Sequence, residues 1–320
     1  MAPVDPESEA AEGASLDRLP LVAGTVALVG RPNAGKSTLM NRLLGEKLAI
    51  VSDKPQTTRH RIVGILSDPV RGQMIFHDTP GIHKPLHHLN RSMVRYAEDA
   101  LSESDVVCFL HDGSQSFGSG DAYLLDLVSG VQAPKVVALN KVDRVAKPTL
   151  LPRIGLLAQG GPFEHIVPIS ALSGEGCEDL LDVLWSLLPE GPPHYDEELL
   201  TLHPDRFLVT ERIREKVLER TRDELPFTTA VLLDRWEQDE ETGFLKLWAS
   251  ILVDRPGQKK ILIGRQGQRI KAIGSAARED LEEMLEARIY LDLTVKLVPD
   301  WRENRRVLQD LDRDLFPRLD

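Results

Sequence analysis

Short apolar runs alternate with amphipathic stretches from about residue 21 to residue 188. The runs at 24–29, 61–66, 73–77, 105–111, 135–139 and 165–169 have the length and residue types of buried strands. Stretches near 35–45, 90–101, 119–129, 149–158 and 176–188 space their apolar residues as one face of a helix does. This alternation predicts an α/β fold: a mostly parallel sheet with helices on both faces and ligands at the carboxyl ends of the strands. Pro189, Pro192 and Pro193 stop the last helix, and 189–204 reads as a polar linker. Beyond it the pattern changes. A charged amphipathic helix is predicted at 205–222, strands at 228–236 and 244–253, two helices around a Gly-rich turn within 257–286, and a strand at 288–298. The order α-β-β-α-α-β predicts a small α+β domain over 205–300. Residues 1–20 read as a disordered acidic tail and 301–320 as a charged tail.

Composition narrows the class. The 320 residues are 42% hydrophobic and 28% charged, as in a soluble globular protein with room for two cores. A net charge of -11 means that only a local basic patch could hold nucleic acid. The two cysteines fit a reduced, cytoplasmic compartment, and Cys108, inside an apolar run, is expected in the core. No apolar run has the length of a membrane span, and the N-terminus lacks the basic start and apolar centre of a signal peptide.

The chemistry is concentrated after the strands. Gly30 to Ser37 reads G-x-x-x-x-G-K-S, a phosphate-binding loop between an apolar strand and a helix start. Gly30, Asn33, Ala34, Gly35, Lys36, Ser37 and Thr38 are its expected nucleotide contacts. Lys36 is to reach the β- and γ-phosphates, and Ser37 is to bind Mg²⁺. Asp78, Thr79, Pro80 and Gly81 follow the next central strand; the Asp78 carboxylate suits Mg²⁺ and the Gly81 N–H the γ-phosphate. Asn140, Lys141 and Asp143 follow another strand. The Asp143 carboxylate suits the N1–H and exocyclic amino group of guanine, the Lys141 stem can lie over the ring, and Asn140 can brace the loops. Ser170, Ala171 and Leu172 follow the last strand, and the Ala171 N–H is expected at guanine O6. The irregular segment 53–61 is the expected γ-phosphate sensor, with Thr58 assigned to Mg²⁺ and Thr57 as its rival. The residue after Gly81 is Ile82, whose apolar side chain cannot orient a water, so slow intrinsic hydrolysis is expected.

In the second domain Gly264 to Gly267 is a GxxG turn opening a helix, which suits a nucleotide backbone. Arg255, Lys259, Lys260, Arg265, Arg269, Lys271 and Arg278 fall in a stretch without one acidic residue. A positive face on an acidic chain, joined to that turn, predicts single-stranded RNA as ligand.

The strings GRPNAGKSTLMNRLLG, PQTTRHRIVGI, DTPGIH, NKVD and SALSG, followed by the GxxG region, resemble the Era family of bacterial GTPases out to about residue 300. The resemblance implies a P-loop GTPase domain followed by a type II KH domain. RNA contacts are then expected at Lys259, Lys260, Ile263, Gly264, Arg265, Gln266, Gly267, Arg269, Ile270 and Lys271. Lys36, Thr58, Gly81 and Asn33 carry the catalytic expectation, with Asn33 helping to hold K⁺. The implied role is maturation of the small ribosomal subunit through the 3′ end of its rRNA, by a monomer that also associates peripherally with the inner membrane. The competing readings are an ATPase, an RNA-binding scaffold with weak hydrolysis, and a GTP-dependent membrane or cell-cycle switch without RNA.

Overall fold

The computed structural model describes residues 20–81, 88–313 and 315. The tail at 1–19, Ile82 and most of the last residues lie outside that range. Strands β1 (Val22–Gly30), β2 (Ile62–Asp68), β3 (Gly72–Asp78), β4 (Val106–Asp112), β5 (Lys135–Asn140) and β6 (His165–Pro168) form one sheet in the order β2-β3-β1-β4-β5-β6. Every neighbouring pair is parallel except β2 with β3. The alternation of side chains decides which layer each residue serves. Val26, Leu28, Val106, Cys108, Val136 and Ala138 meet α1 (Lys36–Leu44) and α5 (Cys177–Leu187) on one face. Ala27, Val29, Val107, Phe109, Val137 and Leu139 meet α2 (His88–Ser102), α3 (Ser119–Ser129) and α4 (Leu150–Gly160) on the other. Covered on both sides, these strands read as unbroken apolar runs. Cys108 is in this core, and burial pushes its thiol up to about 12, leaving it unreactive.

The second unit consists of α6 (Asp205–Glu219), the single turn α7 (Leu225–Thr228), β7 (Thr229–Gln238), β8 (Leu245–Val253), α8 (Pro256–Ile263), α9 (Gln268–Met284) and β9 (Ile289–Leu297). Its sheet runs β7-β8-β9, antiparallel then parallel, so β9 needs the crossover that α8 and α9 supply. Leu245, Leu247, Ala249, Ile251 and Val253 all point to the helices, which is period two. Ala230 and Leu252, on the opposite face, join Leu89 and Met93 of α2 and the fully buried Trp301 in a cluster between the two units.

Two polar stretches behave differently from their composition. The linker is strapped along the first sheet: Ala23 N donates to the Pro189 carbonyl, Ile65 N to Leu200 O, and the Gln73 side chain accepts from His194 N and Tyr195 N. The charged tail starts with Trp301, whose indole N–H donates to Thr228 O, and continues as α10 (Arg305–Asp312). Polar composition does not preclude docking when backbone groups find partners.

The linker also holds a buried histidine. His203 Nε2 accepts from Val63 N at 3.0 Å, and Nδ1 faces the Leu315 carbonyl at 2.9 Å, which requires the neutral ring. Burial lowers its pKa to about 4. As pH falls through 6.5 the unfolded chain takes up this proton and the folded chain does not until about 4, so stability present above pH 6.5 is lost on acidification. Asp78, raised to about 6 mainly by burial, slopes the opposite way, so a variant contrast is needed. Between pH 6.5 and 4.5 the parent chain is expected to lose about 2 kcal/mol more than His203→Gln. Chemical denaturation at both pH values measures this; parallel curves would remove the assignment.

Candidate active site and nucleic-acid interface

The strand registers bring the motif residues to one edge. Leu28 of β1 pairs with Asp78, Gly30 with Leu110, and Asp112 with Asn140. The phosphate-loop sequence therefore leaves β1 where chain order reverses, with β3 on one side and β4 on the other. A cleft of about 490 Å³ opens there. Asn33, Gly35, Lys36, Ser37, Thr38, Gly81, Asn140, Lys141, Asp143, Ala171 and Leu172 line it, together with residues 50–53 and 56–58.

The loop is shaped by backbone geometry. Asn33 has φ 63° and Gly35 φ 101°, and a Cβ on Gly35 would fall 2.2 Å from Asn140 Nδ2. Only glycine satisfies both constraints there. Lys36 starts α1 and is nearly buried, its Nζ donating to the Gly30 and Arg31 carbonyls at 3.1 and 3.2 Å. Burial pulls its pKa down to about 8, partly offset by Asp78. An anion in the cleft would repay that desolvation.

Three hard oxygens converge beside it. Ser37 Oγ donates to Asp78 Oδ2 at 2.6 Å and lies 2.9 Å from Thr58 Oγ1, which is itself 3.3 Å from Asp78 Oδ2. Asp78 Oδ1 is buried and has no hydrogen-bond partner among the described residues. A carboxylate with an orphaned oxygen and two hydroxyls fits a small divalent cation with a preference for oxygen. Thr57 turns away, its hydroxyl donating to the Lys54 carbonyl at 2.7 Å.

Asn140 joins three loops. Its Nδ2 donates to the Ala34 carbonyl at 2.8 Å, and its Oδ1 accepts from Lys141 N at 2.8 Å and Ala171 N at 2.9 Å. The Ala171 N–H expected at a guanine oxygen is thus already engaged, because the side chain that braces the loops needs a donor for its carbonyl. Lys141 reaches across to Asn33 O at 2.6 Å and Asp112 at 2.7 Å; these bonds, with those from Ser114, hold Asp112 below the usual carboxylate range despite its burial. Asp143 accepts from Ser170 Oγ at 2.6 Å, so its carboxylate is aimed. Two expected contacts point elsewhere. The Thr79 hydroxyl donates into β1 at Leu28 O, 2.7 Å away, since a buried hydroxyl takes the nearest free carbonyl. Asn33 Nδ2 donates to Asp53 O at 2.8 Å, tying the phosphate loop to the 53–61 segment. Gly30, Ala34, Asp78, Thr79, Pro80 and Ser170 are not among the residues that line the cleft.

In the second unit Gly264 (φ 74°), Gln266 (φ 51°) and Gly267 (φ 75°) turn the chain between α8 and α9. Lys260, Arg265, Gln266, Arg269 and Lys271 are exposed around that turn, with Lys259, Ile263 and Ile270 half-buried behind it. A shallow groove bounded by Ile270, Lys271, Gly274, Arg278, Leu291 and Leu293 runs between α9 and β9. Apolar floor and basic rim together suit splayed bases and their phosphates.

Comparison with known proteins bears on both regions. A family model described as a 50S ribosome-binding GTPase matches residues 25–141, and a KH domain model matches 236–302. GTPase Era of Geobacter metallireducens is 44% identical over 292 residues, covering 91% of this chain and 98% of that protein. The chain belongs to the Era family of GTPases. GTPase Era of Geotalea uraniireducens is also 44% identical, over 90% of this chain and 96% of that one. A solved structure of Era in complex with MgGDPNP and nucleotides 1506–1542 of 16S ribosomal RNA superposes with a TM-score of 0.89 at 38% identity, covering 92% of this chain and all of that one. A variant of Aquifex aeolicus Era bound to GDP and aluminium fluoride gives the same TM-score, identity and coverage. The architecture is that of the family: a P-loop GTPase domain followed by a KH domain.

Several cleft residues escaped the motif reading. Ser52, Asp112, Ser114 and Gln115 line the cavity without belonging to a recognisable string. Only position signals them, because loops after parallel strands gather at one edge whatever their sequence.

Proposed function

We propose that this Era-family GTPase is a GTP-operated switch that grips the 3′ end of small-subunit rRNA and assists assembly of the small ribosomal subunit. What carries the reading is one chain holding both the convergent Ser37, Thr58 and Asp78 oxygens beside Lys36 and an exposed GxxG turn on a basic face. The Era that superposes on 92% of this chain holds MgGDPNP and a 16S segment, which supports giving the two regions those ligands. The reading places units at 21–188 and 205–300, with 189–204 between them, in a cytoplasmic monomer. Among the described residues no helix is long and apolar enough to cross a membrane, so the inner-membrane association belongs to the reading as a peripheral contact.

Phosphoryl transfer asks the protein for position and charge more than for covalent chemistry. Lys36 and the loop N–H groups face the phosphates. Ser37, Thr58 and Asp78 would hold Mg²⁺, which supplies neutralising charge when bound. Gly81 borders the same cleft and would place its N–H at the γ-phosphate. Asn33, tied to the 53–61 segment through the Asp53 carbonyl, would help to hold K⁺. Asp143 selects guanine over adenine, and Asn140 and Lys141 keep the base loops against the phosphate loop.

Calorimetry with a non-hydrolysable GTP analogue, followed by titration with an RNA oligonucleotide of the 16S 3′ end at several salt concentrations, tests the whole. The analogue should bind, and RNA affinity should fall steeply with salt. Hydrolysis should be faster in K⁺ than in Na⁺. No heat with the analogue would end the nucleotide assignment, a flat salt response the RNA assignment, and equal rates in the two salts the K⁺ assignment.

A further inference from the structure

The segment between α1 and β2 has neither helix nor strand, yet it is fastened at four points to the KH unit. Arg212 donates to the Lys47 carbonyl and Arg214 to the Thr57 carbonyl. Val51 N donates to Glu215 Oε1 at 3.0 Å. Arg59 crosses in the other direction, its two terminal nitrogens donating to Thr229 O at 2.6 Å and Pro226 O at 3.0 Å while its guanidinium lies over the Trp301 ring. Lys47 adds ion pairs to Glu215 and Asp280.

These fasteners are stiff. Arg214 is 3% exposed and is gripped by both oxygens of Glu211, at 2.7 and 2.6 Å, so its direction is set from within α6. Arg59 is 4% exposed. Thr58 lies between the carbonyl held by Arg214 and the side chain held by β7 and α7. Its hydroxyl reaches Ser37 and Asp78 with both clamps closed.

We infer that Arg214 of the KH unit is a positioning residue of the nucleotide site, holding Thr57 and through it the Thr58 hydroxyl in place for the triphosphate state. The inference rests on the reading of Ser37, Thr58 and Asp78 as the cation-facing oxygens. It makes the GTP site incomplete without the second unit. By linkage, anything that shifts α6, RNA on the KH face included, changes the affinity for triphosphate, and triphosphate changes the affinity for RNA by the same factor. Diphosphate, lacking the group that Thr58 senses, stays outside this coupling.

The full chain, Arg214→Ala and Arg214→Lys are compared in two measurements. Hydrogen exchange of the 51–59 amides, without nucleotide or metal, should speed up at least tenfold in Arg214→Ala. Affinity for a non-hydrolysable GTP analogue should fall roughly ten- to a hundredfold, the worth of a hydrogen bond from a charged donor, while GDP affinity holds. Arg214→Lys, which keeps a donor but loses the two-pronged grip on Glu211, should fall between, and it carries the test if the alanine variant does not fold. Unchanged exchange with an unchanged GTP-to-GDP ratio overturns the inference, as does equal loss of both nucleotides. Thr58→Ala in the same assay separates the two readings. If it keeps the triphosphate preference, the assignment of the cation-facing oxygens fails. If it loses that preference while Arg214→Ala retains it, only the present inference fails.

Discussion

Asp143→Asn is expected to lower GTP affinity about a thousandfold, ~4 kcal/mol, and to raise xanthosine triphosphate affinity by a similar factor. The carboxylate presents two acceptors, one of them steadied by the Ser170 hydroxyl at 2.6 Å, and guanine presents two donors to match. An amide offers one acceptor and one donor, so the guanine amino group meets an N–H, and two donors are left facing each other. Xanthine replaces that amino group with a carbonyl and restores the match. Competition binding with the two triphosphates reads the exchange directly. Retained selectivity for GTP would mean that the base lies elsewhere in the cleft. The fold should survive, because Asp143 is partly exposed and its neighbours Val142 and Ser170 supply the packing.

Gly267→Asp is expected to weaken RNA binding on the order of a hundredfold while GTP binding stays intact. The position is selective for a physical reason. Its φ of 75° is left-handed, a region that aspartate tolerates better than most residues, and a Cβ there meets nothing within 4 Å. The carboxylate would project into open space beside exposed Arg265 and Arg269, where an RNA phosphate is expected. Gly264 is a different case: a Cβ there would fall 2.8 Å from the Arg269 Cβ, so its replacement disturbs the turn itself. Filter binding with the 16S 3′-end oligonucleotide, alongside GTP-analogue calorimetry, separates the effects. Unchanged RNA affinity in Gly267→Asp would place the RNA on another face.

Most of the architecture is legible because its signals are local. Val136 to Leu139 is apolar throughout since both faces of β5 are covered, and that run can be read without knowing its neighbours. The phosphate loop is legible for the same reason: a glycine at φ 101°, a lysine and a serine are neighbours in sequence and in space. The α6 helix misleads. The sequence predicts only a charged amphipathic helix there, and its Glu211, Arg212, Arg214 and Glu215 are all buried. A buried ion pair and a surface one have the same composition; only the partner surface tells them apart.

The chain's own order of residues determined an α/β core and an α+β core, the phosphate loop, the Asp143 carboxylate after a strand and the GxxG turn on a basic stretch, because each depends on contacts within a few residues or on a strand's periodicity. Tertiary structure alone decided that Thr58, and not Thr57, faces Ser37 and Asp78, that Asn140 takes the Ala171 N–H, and that Arg59 and Arg214 fasten the irregular segment to the second unit. These pairs lie from 20 to 170 positions apart. Loop closure over such distances leaves no local trace in sequence, since what selects each partner is the shape and desolvation of a surface that exists only once both cores have formed.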